Sequence, residues 1–134
     1  MQMSEFMRKL LLVGAGGAAG SMCRFAIVEL MLLLPHGHKF PLGTLVVNLA
    51  GCFAMGVLYS LGEMRQVFTP ETRSMVLAGI LGGFTTFSAF ANDTWHLSKE
   101  GRNDLAFLNV GLQVILGLAA CWAGHCLARA CWAR

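Results

Sequence analysis

The sequence predicts an all-α integral membrane protein with four transmembrane helices, the third of which is broken in the middle of the membrane. The chain has 134 residues, is 56% hydrophobic and only 13% charged, and has a mean hydropathy of +0.62, whereas soluble domains are about 25% charged. Its apolar residues form four long blocks, and a helix needs about 20 such residues to cross a bilayer. Glycines and hydroxyl residues interrupt the third block.

The four blocks predict membrane spans that together form one domain over residues 1–134. We place them at residues 10–34, 42–61, 74–97 and 105–127. The first span is long for a cleavable signal peptide and contains Arg24, so we expect it to be retained. Four spans put both termini on one side, with six lysines and arginines there and three on the other side, apart from Arg24. This small bias is compatible with insertion in both orientations.

Composition also argues against several classes of function. A net charge of +3 in a chain dominated by apolar spans bears on topology and lipid headgroups, and we expect no nucleic-acid partner. The five cysteines have no CxxC spacing, and their odd number gives no disulfide framework. His36 and His38 lie in a loop between prolines and are better explained as a solvated turn than as a metal site. No nucleophile, base and orienting group combine, so an enzyme is not predicted.

The segment from Gly79 to Phe90 interrupts an otherwise apolar helix. It contains two adjacent glycines and three hydroxyl residues, namely Gly82, Gly83, Thr85, Thr86 and Ser88. Each glycine weakens helix preference by about 1 kcal/mol relative to alanine, and the hydroxyls can bond backbone groups locally. Interrupted backbone occurs at membrane depth only where protein buries it or where it lines a cavity, and broken helices there hold ions. We therefore predict an ion site near the bilayer centre.

Two of the other spans carry a polar residue with more than one interpretation. In the first span, Gly16 and Gly20 form a small-residue groove that allows close approach of another helix. Arg24 either snorkels outward, pairs with a neighbour such as Glu29, supplies positive potential near an anion path, or caps carbonyls at the vestibule. In the second span, Asn48 either forms an interhelical hydrogen bond or donates an N–H to an anion.

Two pairs of residues have similarly open interpretations. Phe87 and Phe90 are three residues apart and share a helix face, where they serve either packing or anion contact through their positive ring edges. Asn109 and Gln113 are four residues apart in the fourth span and indicate either a polar track or a helix–helix seam.

Together these motifs resemble the Fluc (CrcB-type) fluoride channel family over the whole chain. The motifs are Gly16-Gly17-x-x-Gly20-x-x-x-Arg24, Gly43-Thr44-x-x-x-Asn48-x-x-Gly51 and Gly82-Gly83-Phe84-Thr85-Thr86-Phe87-Ser88-x-Phe90. The resemblance implies a fluoride-selective ion channel that lowers cytoplasmic fluoride by passive export. It also implies an antiparallel, dual-topology homodimer with two pores in the bacterial inner membrane, so that fluoride, lipid and a second copy are the expected partners.

The resemblance further implies roles for individual residues. The fluoride pore would involve Asn48, Phe87, Phe90, Ser88, Thr86 and Arg24. The backbone carbonyls of Gly82 and Thr85 would hold a structural Na⁺ at the dimer interface. The sequence departs from the family pattern at Ala89, where threonine is common, and at Asp93, where glutamate is common. Asn109 and Gln113 stand where hydroxyl residues are expected in the polar track of the fourth span.

Two other classes of function compete with a channel. A small four-span, proton-coupled cation or drug exporter needs a membrane-embedded carboxylate, but Glu29 and Asp93 lie late in their spans. A subunit that only packs would require no more than the glycines and Asn48.

Overall fold

The structure, a computed structural model, describes residues 2–34 and 39–132. These residues form four long apolar helices of membrane-spanning length and include no β-strand, which confirms the prediction of an all-α protein with four such helices. The first two helices are α1 (Gln2–Leu32) and α2 (Leu42–Arg65). The loop histidines His36 and His38 lie outside the described residues.

The third and fourth spans are each assembled from several helical segments. The third consists of α3 (Pro70–Arg73), a π-helical segment (Ser74–Leu81), α4 (Gly82–Phe84) and α5 (Phe87–Lys99). The fourth consists of α6 (Asn103–Gly111), a π-helical segment (Leu112–Leu116) and α7 (Gly117–Trp132). The π-helical segments were not predicted, because they differ from an α-helix only in hydrogen-bond spacing and leave no mark in composition. Such segments often lie near functional sites.

The first helix begins well before the predicted start of its span. Residues 2–9 continue the helix toward the N-terminus, since they contain no glycine or proline and include good helix formers. Arg8 anchors this extension, because its Nη2 atom lies 2.7 Å from Oε1 of Glu71 at the start of the third span.

The first and third spans run side by side in close backbone contact. A Cβ atom on Gly16 would lie 2.7 Å from the carbonyl oxygen of Met75, and one on Gly20 would overlap the carbonyl oxygen of Ile80. Opposite them, a Cβ on Gly83 would overlap the backbone of Gly17. The predicted small-residue groove is therefore confirmed, and it positions the break of the third span against α1.

We expect Gly20→Ala to destabilise the protein, because the added methyl group meets an immobile carbonyl of the third span. Overpacking of this kind typically costs about 1–3 kcal/mol. Gly14→Ala is the matched control, since a Cβ there meets no atom within 4 Å. The thermal midpoint of each variant in detergent measures the difference. Equal midpoints for the two variants would show that the first and third spans are not packed this tightly.

The second and fourth spans also pack in parallel, with a constant register. At each turn of α2 the contacting residue of the fourth span is 65 positions later in the chain. Asn48 forms a hydrogen bond with Gln113, and Sγ of Cys52 lies near Gly117. Gly56 meets the backbone of Cys121, and Ser60 contacts His125. Glycines at these crossings let the backbones approach, as is common between membrane helices. This register decides which side chains of the fourth span face the break.

Candidate ion site at the break of the third span

The third span is interrupted at two extended residues. Thr85 has φ −83° and ψ 157°, and Thr86 has φ −151° and ψ 115°, so neither continues the helix. The Thr86 hydroxyl caps the second half, since Oγ1 accepts a hydrogen bond from the Ala89 N–H at 3.1 Å. The Thr85 hydroxyl donates back to the Leu81 carbonyl at 3.0 Å. These contacts are consistent with the predicted break and with the predicted local bonding of hydroxyls.

Asn48 of α2 holds the break in place. Its Oδ1 atom accepts from the Thr86 N–H at 2.8 Å, and its Nδ2 atom donates to the Thr86 carbonyl at 3.1 Å. Thr86 is buried, so without Asn48 both of its backbone groups would lose their partners. Nδ2 also donates to Oε1 of Gln113 at 3.1 Å. Both N–H groups of the Asn48 amide are thus already in hydrogen bonds.

These hydrogen bonds fix the orientation of two amides in turn, and we call Thr86, Asn48 and Gln113 the amide relay. Because the Thr86 N–H is a donor, the atom of Asn48 that faces it must be the oxygen. The Asn48 nitrogen then faces Gln113, so the Gln113 oxygen must face Asn48. This leaves Nε2 of Gln113, which is buried and has no hydrogen-bond partner among the described residues.

The break also releases two backbone carbonyls. In a continuous helix the carbonyl of Gly82 would accept from the Thr86 N–H, and that of Thr85 from the Ala89 N–H. Those N–H groups bond instead to Asn48 and to the Thr86 hydroxyl. Within the described ranges neither carbonyl accepts another hydrogen bond. Both carbonyls are therefore available as oxygen ligands.

A cavity of about 330 Å³ lies between the break, α2 and the fourth span; we call it the central cavity. Its lining comprises Asn48, Gly51, Cys52, Met55, Leu81, Thr85, Thr86, Phe87, Phe90, Gln113, Val114 and Cys121. None of these side chains is a carboxylate, a lysine, an arginine or a histidine. The rings of Phe87 and Phe90 meet edge to face, with centroids 5.4 Å apart and planes at 65°.

Two of the residues predicted for the pore, Arg24 and Ser88, and one predicted for the polar track of the fourth span, Asn109, do not line this cavity. Arg24 is half-buried on α1 and, within residues 2–34 and 39–132, forms no ion pair with Glu29. Ser88 is exposed, although its hydroxyl lies 3.2 Å from that of Thr86. Asn109 is fully buried and donates to the Thr94 hydroxyl at 2.9 Å.

A second polar contact, in the first turn of α2 and one turn before Asn48, was not predicted. The Thr44 hydroxyl donates to Oδ2 of Asp93 at 2.7 Å. The only available signal was the i, i+4 spacing of Thr44 and Asn48, which puts both on the face of α2 toward the third span. This contact ties Asp93 to α2 and away from the central cavity.

Comparison with known proteins places the chain in a family. Residues 11–125 match the sequence profile of the family described as CrcB-like protein, Camphor Resistance (CrcB). The chain belongs to the CrcB family. It is 41% identical over 115 residues to the fluoride-specific ion channel FluC of Shewanella sp. (strain ANA-3), covering 86% of this chain and 88% of that protein.

Other CrcB relatives agree with this assignment. The chain is 43% identical over 119 residues to the fluoride-specific ion channel FluC of Shewanella amazonensis (strain ATCC BAA-1098 / SB2B), covering 89% of this chain and 94% of the relative. These names describe an ion channel and not an enzyme. With its four membrane-spanning helices, the CrcB chain is a multi-pass protein of the bacterial cell membrane.

Proposed function

We propose that this CrcB-family chain is a fluoride-selective channel that lowers cytoplasmic fluoride by passive export. The observation that carries the proposal is the amide relay, which leaves the donor Nε2 of Gln113 without a partner among residues 2–34 and 39–132, beside a cavity whose lining has no negative side chain. A buried donor without a partner costs about 1–3 kcal/mol, and a bound anion would remove this cost. The relatives named as fluoride-specific channels support the choice of ion.

Fluoride is small and holds its water tightly, so a selective path must replace that water with hydrogen-bond donors and positive edges. An N–H bond to an anion is roughly twice as strong as one between neutral groups. The Gln113 amide supplies two such hydrogens, and the edges of Phe87 and Phe90 carry partial positive charge. Because Nε2 is buried and Gln113 lines the cavity, neighbouring side chains would have to shift before an anion in the cavity could accept its hydrogens.

The amide relay changes the role that we assign to Asn48. Its amide hydrogens are occupied by Thr86 and Gln113, so its part in the pore is to fix the break and to orient Gln113. Thr86 supports the same wall of the cavity. Arg24, Ser88 and Asn109 would act outside the central cavity, as parts of the approach to it.

The rival exporter requires a carboxylate that exchanges protons within the membrane. Asp93 is bonded to Thr44 and does not line the central cavity, and Glu29 is exposed on α1. Neither carboxylate stands where a substrate in the cavity would meet it, which favours the channel.

We propose that a second copy covers the break, in an antiparallel, dual-topology homodimer with one pore beside each copy. Gly82, Phe87 and Ser88 are exposed at the break, and Phe87 is 79% exposed. Irregular backbone is not tolerated against lipid in the membrane core, so protein must cover this side. An antiparallel pair needs both insertion orientations, which the small charge bias permits.

The released carbonyls of Gly82 and Thr85 fit a structural Na⁺ at this dimer interface. Carbonyl oxygens are ligands for hard cations, and two copies would contribute four of them. Na⁺ would hold the two breaks together and raise the local positive potential near the pores.

Replacing Na⁺ with a large organic cation such as N-methylglucamine is therefore expected to lower both fluoride flux and the dimer fraction. Flux from liposomes and size-exclusion chromatography in detergent measure the two quantities. The Thr86 capping contacts are local to one chain, so the thermal midpoint of the monomer fraction is expected to stay constant. If flux and dimer fraction were both indifferent to the cation, the sodium site would be wrong.

Phe87→Ile and Phe90→Ile test the aromatic role. Each change keeps an apolar side chain but removes a positive ring edge, and we expect fluoride flux to fall by about two- to tenfold for each ring. Phe107→Ile is the matched control, because Phe107 is also 79% exposed but does not line the central cavity. Fluoride efflux from liposomes is the measurement. Unchanged flux in both Phe87→Ile and Phe90→Ile would exclude anion contact by the rings.

A further inference from the structure

A second cavity, of about 360 Å³, lies between α2 and α7 beyond the central cavity; we call it the outer groove. Its lining comprises Met55, Gly56, Tyr59, Ser60, Leu118, Cys121, Trp122 and His125. Three of these residues carry the sulfur and nitrogen atoms that bind soft metal ions, namely Met55, Cys121 and His125. The proposed fluoride path uses none of these atoms as a ligand.

The contact between Ser60 and His125 fixes the form of the imidazole. The Ser60 hydroxyl lies 2.7 Å from the Gly56 carbonyl and 2.6 Å from Nδ1 of His125. Ser60 has a single hydroxyl hydrogen, and the carbonyl can only accept, so that hydrogen goes to Gly56. Nδ1 must then carry the ring hydrogen and donate a hydrogen bond to the Ser60 oxygen. The other ring nitrogen, Nε2, is left with its lone pair, as a metal ligand requires.

The remaining two ligands come from both sides of the same crossing. Cys121 and His125 are four residues apart on α7 and lie on one face. The backbone of α2 meets α7 directly at this level, where a Cβ on Gly56 would overlap the Cys121 carbonyl, and Met55 is the residue next to Gly56. A thiol and an imidazole from α7 therefore share the groove with a thioether from α2.

From this set we propose a binding site for a soft monovalent ion of the Cu⁺ class, held by the Cys121 thiolate, the His125 Nε2 atom and the Met55 thioether. Within the described residues no three His, Cys, Asp or Glu side chains come together as a metal site. The third ligand that we assign is therefore the thioether of Met55, which lines the same groove. Sulfur ligands of this kind select Cu⁺ over harder ions. Binding displaces the Cys121 thiol proton to solvent.

A metal ion bound in the outer groove would also change the shape of the central cavity. Met55 and Cys121 line both cavities, so a metal ion that draws them together in the outer groove alters the wall of the central cavity. We therefore expect a soft metal ion to inhibit ion passage through the chain.

The test uses Ag⁺, a soft monovalent ion that does not change oxidation state under these conditions, added as the nitrate in chloride-free buffer. The exposed Cys23, Cys126 and Cys131 are first replaced by alanine to remove surface thiols. A silver electrode then measures free Ag⁺ over the detergent-solubilised protein, independently of flux. We expect one tight site per chain. Cys121→Ala, His125→Gln and Met55→Leu should each weaken it at least about tenfold, and Ser60→Ala should do so by about 10- to 100-fold.

Cys52→Ala is the matched control, because Cys52 lines the central cavity but not the outer groove, and it should leave Ag⁺ affinity unchanged. Loss of binding in Cys52→Ala would place the metal in the central cavity and overturn the proposal. Unchanged affinity in both His125→Gln and Met55→Leu would also overturn it, since Ag⁺ would then be held by a thiol alone. Retained thermal midpoints of these variants would show that folding does not explain their losses.

Discussion

Asn48→Ala is expected to abolish measurable fluoride flux and to lower the thermal stability of the protein. The change removes the partners of both backbone groups of Thr86, which is buried. Each buried backbone group left without a partner costs about 1–3 kcal/mol. The break would then rearrange to recover these bonds, and Gln113 would lose the contact that orients its amide. Thermal midpoints in detergent and fluoride efflux from liposomes measure the two effects.

Asn92→Ala is the control for this change, since Asn92 is an exposed asparagine of α5. It should leave both the midpoint and the flux near their wild-type values. A normal thermal midpoint for Asn48→Ala would mean that α2 does not hold the break, and the assignment of Asn48 to the amide relay would have to be abandoned.

Gln113→Met is expected to reduce fluoride flux by about ten- to a hundredfold while the fold is retained. Methionine is close to glutamine in shape but has no N–H, so it removes the donor that we assign to the anion. Hydrogen bonds to charged groups contribute about 1.5–3 kcal/mol, and each 1.4 kcal/mol corresponds to a factor of ten. The two bonds between Asn48 and Thr86 do not involve Gln113, so the break should persist.

Leu116→Met introduces the same side chain in the same π-helical segment, at a residue that does not line the central cavity. Flux in this control should match wild type. If Gln113→Met conducted fluoride as well as the control, the unpartnered amide of Gln113 would have no part in conduction, and the donor would have to be sought elsewhere in the cavity.

The sequence was sufficient to predict the four spans, the position of the break and the small-residue groove of the first span. These features are encoded locally, in apolar block length, in Gly82 and Gly83, and in the spacing of Gly16 and Gly20. The hydroxyls of Thr85 and Thr86 likewise bond backbone groups within a few residues. The π-helical segments and the extension of α1 over residues 2–9 were not predicted.

The roles of the amides could not be predicted in the same way, because they depend on contacts between distant parts of the chain. Asn48 was compatible with an interhelical bond or with anion contact, and the structure shows the interhelical bond, to a residue 38 positions away. The register of the second and fourth spans then brings Gln113 to Asn48 but leaves Asn109 with Thr94. Asn109 and Gln113 are four residues apart on one helix face, and this spacing does not show that they have different partners.

The central proposal, that the cavity beside the break passes fluoride, is tested most directly by efflux from liposomes that contain only the purified protein. The vesicles are loaded with equal concentrations of potassium fluoride and potassium chloride. A potassium ionophore lets K⁺ leave with the anions, so that no opposing membrane potential builds up. Ion-selective electrodes record both anions. We expect rapid release of fluoride with chloride retained. Retention of both anions, or release of both at similar rates, would contradict the proposal.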